Sequence, residues 1–137
     1  MGSYVRRYHE TGAFVVSAGV DNKKPAEAIR VILKELQKIT VAPVSADELR
    51  RAKDFYLGQL ELGLENSMNQ MLWAGESAVT LNRCRSTEEI LDRVERVTPD
   101  DIQKVAKSLF KDESLNMALV GPKQSEKEFG ALLTLQA

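Results

Sequence analysis

A chain of 137 residues and 15.3 kDa suits one domain, or a large piece of one, and 19 Lys+Arg against 20 Asp+Glu leave a net charge of −1. That balance offers no basic field for phosphate neutralisation, which argues against nucleic acid as a partner. One histidine, His9, and one cysteine, Cys84, exclude an intrachain disulfide, and they are too few for a three-ligand zinc site or for an imidazole-activated nucleophile.

Met1 to Ser3 reads as a cloning scar. Tyr4 to Tyr8 suits a strand that pairs, through a turn at His9 to Thr11, with a second strand over Gly12 to Val20. In that second strand Phe14, Val16, Ala18 and Val20 share one face by the period of two, so the face is expected in the core. Asp21-Asn22 ends it, and Pro25 opens a helix with Ala28, Ile29, Ile32, Leu33, Leu36 and Ile39 at helical spacing.

After Val41 to Val44, the pattern Ser45 to Glu48 is a capping box, in which a hydroxyl takes an early amide and a carboxylate reaches back. The long helix that follows carries Leu49, Ala52, Tyr56, Leu60 and Leu64 as its expected buried stripe. Gly58 and Gly63 weaken it by roughly 1 kcal/mol each relative to alanine and suggest close packing or a bend near Asn66. Ser67 to Gln70 repeats the capping pattern for a third helix with Met68, Met71, Leu72, Trp73 and Val79. Ser86 to Glu89 opens a fourth, with Ile90, Leu91, Val94 and Val97.

Thr98-Pro99-Asp100-Asp101 supplies a cap, a proline at the first helical position and two carboxylates near the positive end of the helix dipole. Ile102, Val105, Ala106, Leu109 and Phe110 are expected to face inward from this fifth helix. Leu115 to Val120 reads as a short apolar strand stopped by Gly121-Pro122, and residues 123–137 as a helical tail with Phe129, Leu132 and Leu133. Strands segregated from a run of helices predict an α+β fold, with helices on one face of a small, largely antiparallel sheet. About three strands against five helices leave that sheet incomplete, with an unpaired edge. No apolar run approaches the ~20 residues of a membrane span and no secretory signal is visible, so a soluble chain is expected, its compartment open and the cytoplasm favoured.

Several residues invite a chemical reading, and each is weighed against a plainer one. His9 beside Glu10 reads as a polar turn rather than half a metal site. Arg83 and Arg85 flank Cys84, whose thiol they could activate, but a structural cysteine is the simpler reading. Met68, Met71 and Trp73 could form an adaptable peptide surface, yet helical spacing beside Leu72 favours the core. Glu61, Glu65 and Glu76 read as solvated faces, as does Arg50-Arg51 among Asp47, Glu48 and Asp54; the step Arg6-Arg7 is a second small basic patch.

The segments from Tyr8 to Val20, Glu27 to Ile29 and Val31 to Leu36 resemble the later part of the C-terminal-type domain of the pitrilysin and mitochondrial-processing-peptidase family of zinc peptidases. Ser45 to Lys53, Gly58 to Glu65, Ser86 to Ile90, Val97 to Ile102 and Leu119 to Pro122 continue the likeness in order. Each stretch alone is a weak helix-cap pattern; the ordered set, from Tyr8 to Pro122, is specific. The resemblance implies residues 4–122 as a partial peptidase-family domain and a parent subunit of two similar halves that close around an extended peptide. It places the zinc ion in the other half, on an H-x-x-E-H motif that this chain lacks.

The family's substrate-anchoring Arg and Tyr pair falls just before Tyr4, so no catalytic, cofactor-binding or metal residue carries over to this sequence. The chain is therefore expected to be the non-catalytic C-terminal scaffold of a zinc-dependent endopeptidase, inactive alone, with the strand at Gly12 to Val20 close to the substrate chamber. Its partners would be the zinc-binding N-terminal half, a peptide substrate in the intact protein, and a second copy. Two other readings stay open: a family member without a metal site acting as a partner subunit, and a free-standing helical interaction module.

Overall fold

A computed structural model describes residues 1–8, 10–122 and 125–135. They form a helix-dominated α+β fold, as the segregated pattern predicts. The sheet is a single antiparallel hairpin, β1 (Gly2–Arg7) and β2 (Gly12–Ser17), with Tyr4 opposite Val15 and Val5 opposite Phe14. Five helices follow: α1 (Pro25–Val41), α2 (Ala46–Leu64), α3 (Ser67–Leu81), α4 (Thr87–Arg96) and α5 (Pro99–Leu109). A single 3-10 turn (Asp112–Ser114) and the short α6 (Glu126–Gly130) complete the order.

The chain divides into two units, one made of residues 1–43 and 103–137, the other of residues 44–102. In the first, Phe14 of β2 meets Phe110 edge-on, with ring centroids 5.3 Å apart. The Gln103 side chain donates to the Thr40 carbonyl at 3.1 Å and so closes the end of α1, while the Leu135 amide donates to Asp112 Oδ1 at 2.7 Å. Leu33, Ala106 and Phe129 are its buried apolar side chains. In the second unit α2 packs on α3 and α4, Leu49 is buried, and Lys53 donates to the Glu95 carbonyl at 2.6 Å.

The helix starts follow local chemistry. Ser45 and Ser86 hydroxyls accept the Glu48 and Glu89 amides, both at 3.2 Å. Thr98 and Asp101 form a reciprocal box: the Asp101 amide donates to Thr98 Oγ1 at 3.2 Å, and the Thr98 amide and hydroxyl donate to Asp101 Oδ2 at 3.0 and 2.6 Å. The cap of α3 is Asn66 rather than Ser67, because the Asn66 carboxamide reaches two amides, Met68 at 2.9 Å and Asn69 at 3.3 Å. At the other end of α3, Asn82 takes the left-handed conformation (φ 54°), which asparagine adopts at less cost than most side chains.

Four expectations are corrected. Strand β2 stops at Ser17, leaving Ala18 and Val20 beyond it and exposed. Residues 115–120 pair with no strand; the described sheet has two strands, and neither ladders with this segment. Of the expected stripe on α2, Ala52 and Tyr56 are exposed, whereas Leu49 is buried and Leu60 and Leu64 are half-buried. A Cβ placed on Gly58 or Gly63 meets nothing within 4 Å, so neither glycine marks a close contact, and α2 ends by the turn at Glu65 and Asn66.

Burial is thin throughout. Among the described residues four apolar side chains are buried: Leu33, Leu49, Ala106 and Phe129. The chain exposes 10765 Å², whereas two separate compact domains of these sizes would together expose about 8,600 Å². Exposed large apolar side chains occur in both units, among them Tyr4, Phe14 and Val31 in the first and Phe55, Met68 and Val79 in the second.

Candidate functional site

A recess lies in the unit of residues 44–102, at the corner where α2 turns into α3. It has a volume of about 480 Å³ and is lined by Leu64, Ser67, Gln70, Met71, Trp73, Ala74 and Thr87. The corner is held by reciprocal capping. Asn66 closes the start of α3, while Asn69 Nδ2 and Gln70 Nε2 donate to the Gly63 and Leu64 carbonyls at 3.0 and 2.6 Å, satisfying the end of α2.

Met68, Met71 and Leu72 lie open at this corner, 58%, 58% and 59% exposed, and Trp73 is half-buried. The core reading of these residues is thus corrected. Helical spacing identified a common neighbourhood, but α3 has no partner element over Met68, Met71 and Leu72 among the described residues. Ser77 is the residue of α3 that is buried instead. The recess is mostly apolar, carries one carboxamide and two hydroxyls, and holds no charged group. It can take an apolar side chain, and its lining offers no imidazole, carboxylate or amine beside the Ser67 and Thr87 hydroxyls.

Cys84 is exposed and directs its Sγ toward the Ala74 carbonyl at 3.7 Å. Its neighbours have other partners. Arg83 forms a fork with Glu89, both N–H···O distances being 2.7 Å, and Arg93 approaches the same carboxylate at 3.3 Å. The bidentate bond from Arg83 holds the Glu89 carboxyl below its ordinary value, aided by the charges of Arg83, Arg93 and Arg85 and opposed by partial burial. Glu88 is also held low, first by its own backbone amide and then by the Ser86 hydroxyl, as befits the first turn of a helix. Arg85 Nε is buried without a partner among the described residues.

The other candidates are scattered. Arg50 pairs with Asp47 at 3.4 Å on the solvated side of α2. Glu61, Glu65 and Glu76 are exposed at separate places. Tyr4, Arg6 and Tyr8 project from one side of β1, the Arg6 guanidinium lying 5.6 Å from the Tyr4 ring centroid. Hydrogen bonds from Arg6 to Tyr8 and Tyr4 raise its already high pKa further. His9 lies outside the described residues. Among the described residues no group of three or more His, Cys, Asp or Glu could hold a metal ion, and no helix is long and apolar enough to cross a membrane.

The reading from sequence missed the charge segregation between the units. The unit of residues 1–43 and 103–137 carries 12 Lys+Arg against 8 Asp+Glu, a balance of +4, and that of residues 44–102 carries 7 against 12, a balance of −5. The acidic excess was visible in composition, but only the division of the chain shows where to count.

Comparison with known proteins adds the context. The profile described as the peptidase M16 inactive domain matches residues 1–56. An uncharacterized zinc protease of Streptomyces coelicolor is 28% identical over 120 residues, 88% of this chain and 26% of the relative. One of Mycobacterium tuberculosis is 29% identical over the same length, 88% of this chain and 27% of the relative. The mitochondrial-processing peptidase beta subunit of Dictyostelium discoideum is 26% identical over 84% of this chain and 24% of its own length. The chain thus spans about a quarter of the length of these relatives. Zinc, which their names imply for some of them, asks for three or four converging nitrogen, sulfur or carboxylate donors. Cys84, lone and turned to a backbone carbonyl, with a single histidine in the sequence, does not fit that requirement.

Proposed function

For a chain of the pitrilysin and M16 peptidase family, drawn from its inactive, C-terminal-type domain, we propose a non-catalytic role as scaffold within a zinc-dependent endopeptidase. The zinc-binding half of the parent supplies the chemistry, and this chain supplies part of the wall that encloses an extended peptide. Residues 4–122 make up the domain piece, and residues 123–137 form its tail.

One observation carries the reading: a likeness that runs along 88% of this chain yet takes up about a quarter of proteins named zinc proteases. Exposed apolar side chains in both units agree with it, because a wall element is covered by the rest of its subunit.

The test has two arms. An antibody against this chain, used on extracts of the source organism, is expected to detect a band several times larger than 15.3 kDa. The purified chain is expected to cleave no casein or peptide library with or without added zinc. Chelator-sensitive cleavage that survives purification would overturn the scaffold reading, and a band at the chain's own size would overturn the parent. A second reading is a partner subunit without a metal site, in keeping with a likeness to relatives named as alpha and beta subunits. The presence of H-x-x-E-H upstream in the parent gene decides between the two.

A further inference from the structure

We draw no further inference here: the strongest candidate, the apolar recess at the corner of α2 and α3 with the exposed side chains of Met68, Met71 and Leu72 at that corner, carries nothing, because nothing in the structure shows what covers it.

Discussion

Replacing Gly58 and Gly63 by alanine should stabilise the chain, and the size of the effect follows from the geometry. Both glycines lie inside α2, both have ordinary negative φ, and a Cβ on either meets no atom within 4 Å. The substitution therefore adds no clash and removes backbone freedom from the unfolded chain, for a gain of about 0.5–1 kcal/mol at each position. The two sites are five residues apart, about 7.5 Å along the axis, so the gains should nearly add to about 1.5 kcal/mol. For a domain of this size that corresponds to a rise in Tm of about 5–10 °C, read by circular dichroism at 222 nm and checked by urea unfolding. Loss of stability in either single variant would refute the reasoning, because it would mean that the glycine faces a contact. Stabilisation of the isolated chain joined to weaker assembly with its parent half would place that contact on the partner instead.

Asn66→Ala removes the acceptor of two amides at the start of α3 and should cost about 0.5–2 kcal/mol, measured by urea unfolding; an unchanged midpoint would show that water caps the helix equally well. Leu49→Ala, at the buried position of α2, should cost about 2–5 kcal/mol, while Val79→Ala, at a site 87% exposed, should lie within about 0.5 kcal/mol of zero. Because Glu89 titrates below its ordinary value in the folded chain, its contribution is complete above that ordinary value, about 4.3, and is lost as pH falls through the lowered one. An NMR titration of the Glu89 carboxyl should show the depression in the native chain and its return upward in Arg83→Ala. Equal titration in the two chains would remove Arg83 as the cause.

Helix starts were the most legible part of the fold, since the information sits in four consecutive residues. Ser45, Ser86 and the Thr98-Asp101 box are realised where their side chains predict. The α3 cap missed by one residue because Asn66 competes with Ser67 for the same amides and reaches two of them. Burial was less legible, for a different reason: periodicity states which side chains share a face, and tertiary packing decides whether anything covers it. Tyr56, Met68 and Met71 occupy regular helical spacing and remain exposed. Leu115 to Val120 failed similarly, because strand character is local and a ladder needs a neighbour. At the candidate site Met71 and Trp73 of the grouped residues line the recess and Met68 does not, and the recess depends as well on Leu64 and Thr87, contributed by other elements.

The division of the chain into one continuous and one split unit has a consequence for the order in which the molecule assembles. Residues 44–102 are contiguous, and their helices meet neighbours close in sequence, so this unit can condense as soon as it has been synthesised. The other unit draws on residues 1–43 and 103–137 and must close a long loop before Phe14 can find Phe110 or Thr40 can find Gln103. Prior condensation of the intervening helices shortens the distance that loop has to span. Until α5 and the residues after it have been synthesised, Phe14 and Thr40 lack the Phe110 and Gln103 that meet them within this chain.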